Sequence, residues 1–83
     1  MKLVYFAWIR EQIGIGSEER TAPAGVETAG DLIAWLAGQG ETYAAAFAEP
    51  KMIRIAFDQE LVEHDVAIGD TAEVAFFPPM TGG

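Results

Sequence analysis

Positions 2–9, "KLVYFAWI", are apolar at both parities apart from Lys2, as in a strand buried on both sides within a sheet. The pattern predicts a central strand over 2–9, with Lys2 marking its own parity (Val4, Phe6, Trp8) as outward. "GIGSEERTAPAG" reads as a turn at Gly14 and Gly16 and then a short polar strand, hairpin-paired with the first. Thr28 has the chemistry of a helix N-cap with Asp31 three residues on. Leu32, Ile33, Trp35 and Leu36 supply the apolar stripe, and Gly38 and Gly40 end it. The alanine-rich "ETYAAAFAEP" predicts one or two further helical turns closed by Pro50. "KMIRIAF" alternates with Arg54 outward and Ile53, Ile55 and Phe57 inward, "DQELVEHD" turns into a short strand, and Gly69-Asp70 turns into "TAEVAFF". In that last strand Glu73 sets Ala75 and Phe77 outward and leaves Ala72, Val74 and Phe76 for the core.

Two strands, a helix and three strands predict an α+β domain, with the apolar first and last strands side by side and parallel in the sheet centre. Helices on one face leave the other open, so Phe6 and Phe77 would both stand on a helix-free surface. Large aromatics exposed together often mark a partner site; scattered surface aromatics are the plainer alternative.

Eighty-three residues, 51% of them hydrophobic, suffice for one compact core and leave no room for a second domain. Thirteen Asp and Glu against five Lys and Arg give a net charge of -8, which argues against nucleic acid and anionic lipid and favours a basic protein partner. There is no cysteine, so disulfides, thiolate metal sites and a cysteine nucleophile are excluded. The apolar start runs into Arg10 and Glu11 where a signal peptide would need small residues, and no apolar run reaches membrane-spanning length. A soluble, cytoplasmic protein is the expectation. His64, the single histidine, sits beside Asp65 and reads as a solvated loop residue rather than a metal ligand or general base. Gly14 and Gly16 imitate the start of a nucleotide-binding loop but lack the third glycine, and read as turn residues.

The sequence ends in "FFPPMTGG". Pro78 and Pro79 carry no amide donor, so the sheet stops there and the chain leaves it in a stiff, extended direction. Pro79 to Gly83 would reach about 17 Å at the extended rise per residue, enough to cross another protein's active-site channel. Two glycines let such a channel close around bare backbone. An ionised α-carboxylate resists nucleophiles, but adenylation makes it a mixed anhydride that an amine converts to an amide and a sulfur nucleophile to a thiocarboxylate. The alternative is an inert glycine end.

"FFPPMTGG", preceded by "IGDTAEVAFF", together with "YFAWIRE" and "FDQELV", resembles the small, sulfur-carrying subunits of molybdopterin synthase over essentially the whole chain. The resemblance implies a ubiquitin-like β-grasp domain over residues 1–79 and a flexible tail over 80–83. It also implies that Gly83 is adenylated by an E1-like adenylyltransferase, converted to a thiocarboxylate with sulfur from a donating enzyme, and inserted into the large synthase subunit of a heterotetramer. There it would give sulfur to cyclic pyranopterin monophosphate in molybdenum cofactor biosynthesis. Gly82 would be its slender neighbour, Phe6, Leu61 and Phe77 the apolar docking face, and Pro78, Pro79, Met80 and Thr81 the partner-binding lead to the terminus. The domain would bind no cofactor or metal and catalyse nothing alone; ATP would be used by the activating partner. Met80, Asp58 and Trp8 depart from the residues usual at their positions in that family. Three other roles use the same features: a thiamine-type sulfur carrier, a ubiquitin-like modifier, or a plain β-grasp interaction module. Length and the double proline favour the synthase subunit over the thiamine-type carrier.

Overall fold

The computed structural model describes residues 1–79; Met80, Thr81, Gly82 and Gly83 lie outside the described residues. Strand β1 (Lys2–Tyr5) leads into helix α1 (Ala7–Ile13) and strand β2 (Ser17–Glu19). Helices α2 (Ala29–Ala37) and α3 (Glu41–Ala46) follow, then a 3₁₀ turn (Pro50–Met52). Strands β3 (Arg54–Phe57), β4 (Glu60–Val62) and β5 (Glu73–Phe77) complete one sheet of order β2-β1-β5-β3-β4. β5 runs parallel to β1 and antiparallel to β3, so the two strands expected at the sheet interior are neighbours there. This mixed α+β sheet with helices packed on one face is the β-grasp arrangement.

The inner face explains the sequence pattern. Leu3 and Tyr5 of β1, Val74 and Phe76 of β5 and Ile55 and Phe57 of β3 are buried against Leu32, Ile33 and Leu36 of α2. Tyr5, Phe47 and Phe76 form an aromatic centre, Tyr5 stacked on Phe76 at 5.7 Å and Phe47 edge-on to Phe76 at 5.3 Å. The start of α2 is the expected one: Thr28 Oγ1 accepts the Asp31 amide at 3.1 Å, and the Asp31 carboxylate accepts the Thr28 and Glu27 amides. Those two backbone donors hold the Asp31 carboxyl below its ordinary value.

Several expectations are corrected. The first strand does not continue to residue 9. It ends at Tyr5, Ala7 takes a left-handed φ of 52°, and the chain turns into α1, whose Ile9 and Ile13 face the core one helical turn apart. The link from β1 to β2 is therefore a helix. Gly14, at φ 97°, provides its left-handed C-cap and donates its N–H to the Arg10 carbonyl at 2.8 Å. Trp8 is exposed as a helix residue, not on the sheet surface. Pro50 does not close α3, which ends at Ala46; it opens the 3₁₀ turn, where its missing N–H costs nothing. Ala72 is exposed, because β5 begins only at Glu73.

Candidate functional site

On the helix-free side the register lines up side chains across the strands. Val4, Ala75, Ala56 and Leu61 form one row over β1, β5, β3 and β4, spanning roughly 14 Å at the usual strand spacing. Three of these are small, so the row is a flat apolar floor ending in Leu61, which is 55% exposed. On one side stand Phe6 and Phe77, their rings edge to face with centroids 6.2 Å apart. Arg54 is the strand neighbour of Phe77 on β3 and is exposed. The opposite side is polar, with Lys2 between Glu19 and Glu73. The face is thus amphipathic, with its aromatic end where the chain leaves the sheet.

Phe6 is held there by backbone chemistry. Its N–H donates to the Phe76 carbonyl at 3.1 Å, which extends the β1–β5 pairing by one residue. Its own carbonyl accepts the Ile9 and Arg10 amides that open α1. The turn at Ala7 then takes the chain away, leaving Phe6 48% exposed at the strand's end. Phe77 points to the same side by the alternation of β5, in which Val74 and Phe76 are buried and Ala75 and Phe77 are not. Pro78 and Pro79 follow outside any strand and half-buried, so the sheet ends where the prolines remove its donors.

The structure brings Phe6 and Phe77 into contact and sets Leu61 across the floor from them; Pro78 and Pro79 mark the exit. The expected roles of Met80, Thr81, Gly82 and Gly83 fall outside the described residues. Sequence reading set Val4 and Ala75 outward without assigning them to a partner face and did not name Ala56; the register joins all three into one floor. His64 is not a solvated loop residue. It is half-buried, donates Nε2–H to the Ile53 carbonyl at 2.9 Å and accepts the Gly30 amide on its own carbonyl at 2.7 Å, tying the segment after β4 to α2. Among the described residues no cluster of His, Asp or Glu has the arrangement of a metal site, and no helix is long and apolar enough to cross a membrane.

On the inner side a polar network secures the strand that presents Phe6. The Tyr5 and Tyr43 hydroxyls both donate to Glu18 Oε2, at 2.8 and 2.7 Å. Arg20 donates Nε–H to Glu18 Oε1 at 3.0 Å, one Nη to the Tyr43 hydroxyl at 3.1 Å and the other to Gln39 at 3.0 Å. Burial pushes the Tyr5 phenol up and the adjoining Glu18 carboxylate pushes it further, so it stays a donor. Burial alone would raise the Glu18 carboxyl, but the bonds from Tyr43, Tyr5 and Arg20 outweigh it and hold it below its ordinary value. The guanidinium also lies 5.0 Å from the Tyr43 ring centroid and 5.7 Å from that of Trp35.

Comparison with known proteins fits this geometry. The chain is 37% identical to the molybdopterin synthase sulfur carrier subunit of Escherichia coli (strain K12) and 32% identical to that of Haemophilus influenzae; each alignment covers 100% of this chain and 99% of the relative. The crystal structure of SAMP1 from Haloferax volcanii superposes with a TM-score of 0.72 at 25% identity, covering 100% of this chain and 98% of that one. The ThiS family profile matches residues 3–83, and with a match of that extent on a β-grasp sheet the chain belongs to the ThiS family.

Proposed function

We propose that this chain is the sulfur carrier subunit of a molybdopterin synthase and that the Gly83 carboxylate is the group it carries through the reaction. The observation that supports this most is the aromatic end of the open face, Phe6 against Phe77, lying directly before Pro78 and Pro79. A partner seated on that face would have the chain's last residues led into it by a stiff diproline. The role is that of the full-length relatives at 37% and 32% identity.

The chemistry is supplied by partners, and the chain provides the acyl group. In an E1-like adenylyltransferase the Gly83 carboxylate oxygen attacks the α-phosphorus of ATP, forming an acyl adenylate and releasing pyrophosphate. A sulfide-equivalent nucleophile from the sulfur-donating enzyme then displaces AMP, leaving the thiocarboxylate. This is anionic at neutral pH and attacks without a general base, so the domain needs no catalytic side chain of its own. In the large synthase subunit the sulfur bonds to a carbon of cyclic pyranopterin monophosphate as a carbon–oxygen bond at that carbon breaks, the oxygen leaving on the phosphate or as water. Water cleaves the acyl–sulfur bond, which restores the carboxylate. A dithiolene has two sulfurs, so two deliveries complete it.

The experiment is reconstitution with the activating enzyme, a sulfur source, the large subunit and the pterin precursor, reading molybdopterin formed. Deleting Gly83 displaces the reacting carbon by about 3.5 Å, well beyond the tolerance of near-attack geometry. Turnover is expected to vanish while the melting temperature stays the same. Comparable turnover from the deletion variant would overturn the proposal.

A further inference from the structure

A cleft of about 530 Å³ opens beside the apolar face at the end where the chain leaves the sheet, lined among others by Lys51, Arg54, Leu61, Glu63, His64 and Pro79. It joins the face through Leu61 and through Arg54, the strand neighbour of Phe77. Its charge runs against the rest of the molecule. The chain carries -8 with only five Lys and Arg, yet among the described residues two of those five line this cleft against the single carboxylate of Glu63. The ion pairs among the described residues join Met1 to Glu19 and Arg20 to Glu18; neither involves Lys51 or Arg54. Both side chains are exposed. The His64 imidazole, fixed by its bond to the Ile53 carbonyl, forms part of the wall.

We infer that this cleft receives a carboxylate-bearing segment of the protein that seats on the Phe6–Phe77 face, with Arg54 and Lys51 as its counter-charges. The inference rests on the docking face proposed above and adds what fixes orientation on it. A net charge of -8 draws a basic partner from a distance, but that field says little about rotation. The floor of Val4, Ala75 and Ala56 is flat and equally indifferent. A local reversal of charge at one end discriminates: a rotated partner would set its own cation against Arg54, and such like-charge contacts suppress wrong alignments. Arg54 offers a planar fork suited to a carboxylate, and Lys51 a mobile point charge beside it. Glu63 in the same cleft repels a free dianion such as phosphate, whereas a carboxylate already held by a docked protein needs only the local pairing.

The test uses the full chain carrying Arg54→Glu and Lys51→Glu together, titrated against the activating enzyme and the large synthase subunit of the same organism, with Phe77→Ala in parallel. The reversed variant is expected to bind at least one partner about 10- to 100-fold more weakly at low salt. The deficit should shrink at about 0.5 M salt as the charges are screened. Its melting temperature should match the parent, because both side chains are exposed. Should the reversal impair folding, the neutral pair Arg54→Gln and Lys51→Gln carries the test, with a loss of about 3- to 10-fold expected. Undiminished affinity for both partners, while Phe77→Ala weakens binding, overturns the cleft and leaves the docking face standing. Undiminished affinity in both variants overturns the docking face itself. Tighter binding of the reversed variant, or saturable shifts of the Lys51 and Arg54 amides on titration with inorganic phosphate alone, overturns the acidic-segment assignment.

Discussion

Replacing Tyr43 with phenylalanine removes one hydroxyl and nothing else, and that hydroxyl is used twice. It donates to Glu18 Oε2 at 2.7 Å and accepts from Arg20 at 3.1 Å. Hydrogen bonds to a charged group are worth about 1.5 to 3 kcal/mol when buried. The Glu18 side chain is only 17% exposed, but Tyr43 is half-buried and water can replace part of what is lost. The low end, about 1.5 kcal/mol, is the expected cost, and for a domain of this size it lowers the melting temperature by roughly 6 to 12 °C. The network also predicts a pH dependence. Glu18 sits below its ordinary value of 4.5 in the folded state and titrates normally when unfolded. Its contribution is therefore fully present above that value and is lost as pH falls through the lower folded value. Thermal melts followed by circular dichroism between about pH 7 and about pH 3 should show Glu18→Gln less stable at neutral pH and closing on the parent in acid. Tyr43→Phe should show a reduced acid slope. A Tyr43→Phe melting temperature equal to the parent's, or an acid slope unchanged in Glu18→Gln, would refute the reasoning. The stake is functional as well as structural: Tyr5, the third partner of Glu18, immediately precedes Phe6.

Phe77→Ala should weaken binding to the large subunit and the activating enzyme by about one to two orders of magnitude, as measured by calorimetry, since burying such a ring contributes roughly 1.5 to 3 kcal/mol; unchanged affinity for both would remove the face from the account. Asp58→Ala should destabilise the domain by about 1 to 2 kcal/mol in urea unfolding, because Asp58 Oδ1 accepts the Ala72 and Glu73 amides at 3.2 and 2.9 Å. Asp58→Asn keeps an acceptor and suits the φ of 48°, so it should lose much less. In the reconstitution assay Gly82→Ala should reduce molybdopterin formation far more than Thr81→Ala if, as proposed, the last residues thread a partner's narrow channel, since it adds a Cβ next to the reacting glycine; equal effects would contradict a narrow passage.

Much of the fold was legible because its signals are local. The Thr28–Asp31 capping box, the alternation of β3 and β5 and the turn glycines each act over a few residues. The first strand was overextended for a physical reason. In "FAWIREQI" both parities are apolar up to Ile9, so the period-two signal is uninformative. The telling spacing, Ile9 to Ile13 with Gly14 behind it, lies beyond the apolar run. Phe6 was placed on the correct surface, but it is exposed because it stands at a strand end, not within a longer strand. Leu61 came from resemblance, since β4 is too short for its alternation to speak. The Tyr5–Glu18–Arg20–Tyr43 network left no trace in the sequence. Tyr5 lies 13 residues and Tyr43 25 residues from Glu18, where strand and helix meet, and only the fold makes them neighbours. His64 was misjudged for the same reason: its acceptor, the Ile53 carbonyl, is 11 residues away on the far side of a turn.

The strand from which the chain's last residues depart lies at the middle of the sheet, paired over four residues with β1 on one side and over four with β3 on the other. An enzyme that grips those residues and pulls therefore loads both ladders together and in shear. The strand being pulled is not an edge strand, so it cannot be peeled away one bond at a time. Resistance of that kind is a matter of unfolding rate under force. In the proposed role, a carrier held by its end in one partner after another can be hauled and released without the domain unravelling from the point of attachment.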